Sequence, residues 1–457
     1  MLIKNGWLVL EDGVQQADLR LEGQRIAEIG TGLTPCPGED TEDATGCWVV
    51  PGGVDAHTHF DMPAGAFHTA DDFASGTKAA LLGGTTTVAD FAECDGDAPL
   101  VTGLDAWRSK ADGITHCDYS LHMTVSHWEA DMEAQMADMI AQGVVAFKVY
   151  TAYQDDLGVT DGELFRILRA AAKLGATVFV HCENGPVLEL LQGELDPGDM
   201  ANHPKARPNE VEAEAVAKVL YFARLTGARV YIVHLSTAEG LEAVRSARAA
   251  GAAVTAETCP QYLLLDDGRY QGDQAEAAKY VLSPPLRKAA DQAALWGGLE
   301  NGDIQTVATD HCAFTTAQKR QNLGDYRKIP NGIPGAEQRM ALIYHHGLQR
   351  GLTPVQVAAV TAGNPAQALG LYPQKGCLRV GSDGDIAVLD RKDRHTISAK
   401  TQATAVDYTP YEGMEVDVSV RTVYLRGQAL VRDGRWLEHA PTGRFLAGKP
   451  TETKEER

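Results

Sequence analysis

Nowhere does the chain hold an apolar run of the roughly 18 residues that a helix needs to cross a bilayer. Residues 1–6 lack a charged leader followed by an apolar stretch and a small-residue cleavage site, so nothing here directs the chain to a membrane or out of the cell, and a cytoplasmic protein is expected. Paired cysteines are missing too. The eight cysteines, Cys36, Cys47, Cys94, Cys117, Cys182, Cys259, Cys312 and Cys377, include no Cys-x-x-Cys, which fits reduced thiols better than a disulfide framework. Cys182, Cys259 and Cys312 stand beside candidate site residues, where a small buried hydrophobe is the expected role. Basic charge is also short: 41 Lys and Arg against 62 Asp and Glu give a net charge of −21, which repels a nucleic-acid backbone or an anionic membrane surface at long range. Small molecules and sister subunits are the partners that remain.

What is present suffices for a large core, since 44% of the 457 residues are hydrophobic. Residues 1–50 read as short alternating strands, with Leu2, Leu8, Val9, Leu10, Leu19, Leu21, Ile26 and Ile29 punctuated by turns at Asp12-Gly13 and Glu22-Gly23. The same texture returns over 376–440, with turns at Asp383-Gly384 and Asp433-Gly434. Neither segment is large enough to bury a face alone, so the two are expected to join in one small β-sandwich domain. Residues 441–457 form a tail, charged and apolar-poor from 448 on, expected to be mobile or draped over the surface.

Between them, over 51–375, the pattern changes to strand, loop and helix, repeated. Apolar strand candidates fall at 49–60, 85–92, 118–126, 144–151, 177–182, 229–236, 253–259 and 304–312. Helical spacing of apolar residues separates them, for example at 70–82, 129–141, 162–173, 210–225 and 238–249. Eight parallel strands with crossover helices imply an α/β fold, a (β/α)8 TIM barrel, with its site at the C-terminal ends of the strands.

Residues that can bind metal or move protons fall at those ends. Asp55-Ala56-His57-Thr58-His59 closes the first strand, and strand geometry puts His57 and His59 on one face. Lys148, His181, His234 and Asp310 follow mostly apolar residues at the ends of the fourth, fifth, sixth and eighth strands. Each alone has an ordinary structural role: a hydrogen-bonded rim histidine, a snorkelling or paired lysine, an aspartate capping a helix. Their convergence on one rim is what points to a site.

The segments Pro51-Gly-Gly-Val-Asp-Ala-His-Thr-His-Phe-Asp-Met-Pro63, Phe147-Lys-Val-Tyr-Thr-Ala-Tyr153, Val180-His-Cys-Glu-Asn-Gly185, Ile232-Val-His-Leu-Ser236, Leu282-Ser-Pro-Pro-Leu-Arg287, Ala308-Thr-Asp-His-Cys312 and Asn331-Gly-Ile-Pro-Gly-Ala-Glu337 make the chain resemble the amidohydrolase superfamily. Within it, nearly the whole chain is similar to the dihydropyrimidinase and D-hydantoinase group. The resemblance implies two divalent metal ions, most often Zn2+: His57, His59 and Asp310 on one, His181 and His234 on the other, and Lys148 bridging them. A lysine ammonium has no acceptor. The implied bridge is therefore N6-carboxylysine, formed when the free amine takes up carbon dioxide. The same resemblance implies that a hydroxide shared by the two metals attacks a ring amide carbonyl, that Asp310 passes its proton to the departing nitrogen, and that Tyr153 stabilises the oxyanion. Ser283 and Asn331 match positions whose backbone groups bind the cyclic amide edge. A homo-oligomer, commonly a tetramer in the group, is implied as well.

The loop 60–68 and the stretch after Tyr153 resemble loops that contact the ring substituent, and Phe60, Met62, Ala64 and Phe67 offer them an apolar mouth. The expected reaction is the opening of 5,6-dihydropyrimidines or hydantoins to N-carbamoyl amino acids. Dihydroorotases typically carry an arginine just after the His-x-His, where this chain has Phe60-Asp61; allantoinases usually continue with Glu-Pro-Gly, where it has Asp61-Met62-Pro63. Non-catalytic scaffold relatives have lost metal ligands, and here every ligand position is filled. The other histidines, His311 among them, match no ligand motif, and His311 is expected to point away from Asp310.

Overall fold

The computed structural model describes residues 1–94, 96, 98–154 and 156–451. Eight parallel strands follow one another in chain order: β1 (Gly53–Thr58), β2 (Thr85–Ala92), β3 (Asp118–Thr124), β4 (Ala146–Tyr150), β5 (Thr177–His181), β6 (Arg229–Ile232), β7 (Ala253–Thr258) and β8 (Thr306–Val307). Crossover helices cover the outside. Asp161–Leu174 shows why these segments are helical and where they stop: Thr160 and Glu163 form a capping box at its start, and Gly175 takes the left-handed conformation (φ 70°) that ends it.

β8 is short, and the barrel closes on itself largely through loops and side chains. Thr58 bridges His311, and the His59 amide donates to the His311 carbonyl at 2.8 Å. Asp55 accepts from the Thr309 amide (3.0 Å) and hydroxyl (2.7 Å). The fully buried Arg339 donates to the carbonyls of Val54 on β1 (3.0 Å) and Val307 on β8 (2.9 Å). Inside the barrel Phe179 stacks on Tyr231 with ring centroids 4.0 Å apart, and His122 packs 4.2 Å from Phe179 while its Nε2 donates to the Ala56 carbonyl. The interior is a filled core.

Two strand expectations change. The apolar run 49–60 is two strands in two sheets, Trp48–Pro51 and Gly53–Thr58, because the chain crosses between sheets where no side chain fits: a Cβ on Gly52 would lie 2.3 Å from the Thr86 hydroxyl oxygen. The run 304–312 keeps only Thr306–Val307 as regular strand, since Asp310 at φ 51° turns the backbone out of it.

Both chain ends build one nine-stranded sheet. Trp48–Pro51 pairs antiparallel with Ile386–Asp390 and parallel with Leu2–Leu10. Ile3, Leu8, Leu19, Leu21 and Val49 from one end meet Ile386, Val388 and Tyr424 from the other in a single apolar cluster, each such aliphatic contributing about 1.5–3 kcal/mol on burial. Where this sheet meets the floor of the barrel, the Lys375 ammonium reaches Asp118 (2.6 Å), Asp385 (2.7 Å) and Asp383 (3.0 Å), and Arg426 also binds Asp118. The described part of the tail is draped across that floor, its amides at Leu446, Gly448 and Thr451 donating to the carbonyls of Tyr119, Gly143 and Gly175. Residues 452–457 of the expected tail lie outside the described residues. Among the described residues no helix is long and apolar enough to cross a membrane.

Candidate active site

A cavity of about 810 Å³ opens at the C-terminal ends of the strands, and His57, His59, Lys148, Tyr153, His181, His234, Ser283, Asp310 and Asn331 all line it. The polar atoms of His57, His59 and Asp310 lie within 4.8 Å of one another. Asp310 Oδ1 is 3.1 Å from His57 Nε2 and 3.3 Å from His59 Nε2. On the other side His181 Nδ1 faces His234 Nε2 at 2.9 Å. The two groups adjoin, with the His57 and His234 rings 5.5 Å apart. Lys148 is buried, its ammonium 4.8 Å from the ring centroids of both Phe91 and Tyr150.

Three of these residues, Tyr153 (φ 60°), His234 (φ 38°) and Asp310 (φ 51°), hold backbone conformations that non-glycine residues rarely adopt. Each costs about 1–3 kcal/mol, and such strain persists where the surroundings impose it, often at a site. Here β6 and β8 stop short, at Ile232 and Val307, and the chain bends to turn His234 and Asp310 to the cavity.

The electrostatics keep three of the four imidazoles in the neutral form a cation needs. Burial lowers the pKa of His234 and His181 and takes His59 down to about 4, so all three stay neutral imidazoles. Burial would lower His57 too, but the carboxylates of Asp310 and Glu257 overcome it and lift it to about 9. Positive charge is thus stabilised where His57 and Asp310 meet. Asp310 is held well below the usual carboxylate range by His57 and His59 against its own burial. Burial lowers Lys148 from 10.5 to about 8.

Three charged neighbours carried no signal of their own in the sequence. Glu257, at the end of β7, accepts from His57 Nδ1 at 2.8 Å, which turns His57 Nε2 toward Asp310 and the cavity. Glu183 accepts from His181 Nε2 at 2.8 Å and so directs Nδ1 inward. Arg207 binds that same Glu183 oxygen at 2.5 Å and lies 5.8 Å from the Tyr153 ring. Glu183 falls inside the 180–185 segment, two residues after His181, whereas Glu257 lies in an apolar strand that only the fold brings to His57.

Phe60 does not join the apolar mouth. It is fully buried, 5.8 Å from the Phe73 ring and 5.3 Å from that of His311, because the alternation that turns His59 to the cavity turns Phe60 to the core. Met62, Ala64 and Phe67 do line the cavity, with Leu157 from the loop after Tyr153, whose residue 155 lies outside the described residues. His311 points away from Asp310, binding Asp71 (3.1 Å) and accepting from the Gly335 amide (3.1 Å). Cys182, Cys259 and Cys312 are buried, and burial raises all three thiols.

The donor set fits a pair of metal ions. Among the described residues His59 Nδ1 is buried with no hydrogen-bond partner and His57 Nε2 faces only the Asp310 carboxylate, while two further neutral imidazoles, His181 and His234, and a lysine of lowered basicity complete the set. Such orphaned polar atoms are rare inside proteins unless a ligand takes them up.

The family model described as "Amidohydrolase family" matches residues 48–430. The chain is 41% identical to D-hydantoinase of Geobacillus stearothermophilus, over 97% of this chain and 96% of that one. It is 39% identical to D-phenylhydantoinase of Escherichia coli (strain SE11), over 98% of each. Among solved structures, dihydropyrimidinase from Brevibacillus agri NCHU1002 superposes with a TM-score of 0.96 at 38% identity, over 99% of each chain.

Proposed function

The chain belongs to the amidohydrolase family, and on that premise we propose that it hydrolyses the ring amide of hydantoins and 5,6-dihydropyrimidines, giving N-carbamoyl amino acids. The observation that carries this reading is the convergence of six ligand-type side chains on one rim, with His59 Nδ1 buried and without a partner among the described residues. In it His57, His59 and Asp310 would hold one divalent ion, His181 and His234 the other, and Lys148, as its carbamate, would serve as a ligand to both. When bound, the two ions, zinc in our reading, would supply hydroxide at neutral pH and polarise the amide carbonyl.

The chain's own residues do the rest. Burial lowers the Lys148 pKa to about 8 and so raises the share of free amine at neutral pH well above that of an ordinary lysine, which puts the amine that captures carbon dioxide at hand. Burial keeps the Tyr153 phenol protonated, and its O–H donates to the oxygen that becomes negative as the carbonyl is attacked. Asp310, beside that carbonyl, takes up a proton and returns it to the departing nitrogen. Backbone groups at Ser283 and Asn331 receive the cyclic amide edge; the two side chains already touch, Ser283 Oγ donating to Asn331 Oδ1 at 3.3 Å. Met62, Ala64, Phe67 and Leu157 meet the ring substituent, which favours apolar groups and, by the names of the relatives, the D enantiomer.

We assign residues 51–375 to the barrel and 1–50 with 376–440 to the sandwich, and place a cytoplasmic homo-oligomer, a tetramer by analogy, alongside this activity. The test is a substrate panel with metal content measured on the same sample: dihydrouracil, dihydrothymine, hydantoin, both enantiomers of a 5-substituted hydantoin, allantoin and dihydroorotate. Turnover concentrated on the dihydropyrimidines, hydantoin and the D enantiomer of the substituted hydantoin, with about two metals per chain, supports the reading. Turnover confined to dihydroorotate would instead assign the cavity's Arg327 and Lys328 to a substrate carboxylate, and no turnover of any ring would sink it.

A further inference from the structure

Lys319 lies in the short helix Thr316–Arg320 and is fully buried, yet among the described residues no carboxylate lies within ion-pair distance of it. Its ammonium sits 5.7 Å over the Phe314 ring and donates to two main-chain carbonyls, Val281 at 2.7 Å and Pro330 at 2.6 Å. A buried lysine bound only to carbonyls carries a desolvation penalty, and burial lowers its pKa to about 7. An apolar side chain would fill the space more cheaply. What an apolar residue could not do is bind two chain segments at once.

Those segments are the ones that frame one wall of the cavity. Val281 precedes Ser283 by two residues, and Pro330 immediately precedes Asn331; Ser283, Pro330, Asn331 and Gly332 all line the cavity. The Val281 carbonyl also accepts from the Gly332 amide at 3.0 Å, and the Leu282 carbonyl accepts from the buried His203 at 2.8 Å. Both segments are therefore tied from behind, and Lys319 is the side chain common to the two. Its neutral and charged forms each have at least two N–H groups, so either can hold both carbonyls.

We propose that Lys319 is a positioning residue for substrate recognition: by clamping the Val281 and Pro330 carbonyls it fixes the spacing of the backbone at Ser283 and Asn331 against which the cyclic amide edge docks. The inference rests on the function proposed above. It assigns Lys319 to binding, since it touches neither the metal ligands nor Tyr153, and a displaced docking edge weakens ground state and transition state alike.

The experiment compares metal-loaded wild type with Lys319→Met and Lys319→Arg on dihydrouracil and on unsubstituted hydantoin, with metal content and Tm measured on each sample. The expected result for Lys319→Met is a KM raised on the order of tenfold with kcat within about threefold of wild type and full metal content; Lys319→Arg, which keeps the donors, recovers part of the KM. An unchanged KM in a folded, active Lys319→Met protein overturns the inference and leaves the function standing. A loss of kcat together with metal also overturns it, because Lys319 would then support the whole rim. If Lys319→Met does not fold, Lys319→Gln is read by the same criteria. Wild type that opens neither ring fails the function itself, a result distinct from the others.

Discussion

Each end of the barrel buries a lysine, and the two are treated in opposite ways. At the floor, the Lys375 ammonium donates to Asp118 and Asp385 and pairs with Asp383, and those carboxylates raise its pKa against the lowering effect of burial. At the rim, Lys148 is as deeply buried but lies between two aromatic rings, and burial lowers its pKa. The floor cluster joins barrel strand, sandwich and tail, since Asp385 also accepts from the Arg426 amide and Asp118 from the Arg444 amide. Among the described residues the rim cluster leaves His59 Nδ1 without a partner and His57 Nε2 facing only Asp310. A buried network that satisfies its members holds structure together; one that leaves them short is reserved for something that arrives.

That contrast breaks most visibly at Lys148. Lys148→Ala should lose bound metal and at least about a thousandfold in activity while remaining folded, with partial rescue by small carboxylic acids; wild-type turnover in metal-assayed protein would remove the bridging role. Next, Tyr153→Phe should lower kcat by about 10²–10³ with little change in metal content, and an unaltered kcat takes Tyr153 out of the oxyanion position.

Lys375→Met tests the other end. Three carboxylates would be left around an apolar side chain, and urea denaturation should show a loss of about 3–5 kcal/mol, with kcat per folded, metal-loaded molecule unchanged. Unaltered stability would mean that the floor cluster does not bind the two domains together.

The smallest expected effect concerns Glu183, which belongs to both patterns, since it binds Arg207 as a structural pair and orients His181 at the site. Despite its burial, the Arg207 guanidinium and His181 depress its pKa from 4.5 to about 2. A depressed carboxylate stabilises the fold fully above its unfolded pKa and ceases to do so as pH falls through the folded one. The stability gap between wild type and Glu183→Gln should therefore be largest above pH 4.5, on the order of 3 kcal/mol, and close toward pH 2. A gap independent of pH would assign the effect to packing.

Elements defined by their own local sequence were legible: apolar strands bounded by turns, helices with apolar spacing, and the histidines, Lys148 and Asp310 that end those strands. What escaped was pairing across the chain. Nothing beside Glu257 announces His57, 200 residues away, and nothing near Arg339 announces that it ties the first strand to the last. The strand break at Gly52 was hidden because the residues on both sides are apolar, and it is Thr86, in another strand, that demands a glycine there. Phe60 was misread because its neighbours face the cavity and it, by alternation, does not.

The sheet built from both chain ends has a consequence in time. On the ribosome, Leu2–Leu10 and Trp48–Pro51 emerge early, but the partner of Trp48–Pro51, Ile386–Asp390, follows more than 300 residues later. At roughly 5–20 residues per second, that delay is on the order of twenty seconds to a minute. Throughout it, Leu8, Leu19 and Val49 lack the Ile386, Val388 and Tyr424 side chains that complete their cluster, and Asp118 at the barrel floor lacks Lys375. Vectorial synthesis thus makes the first strands of this protein among the last to be locked, and the nascent chain has to keep an unpaired β edge from other chains until its own far end arrives.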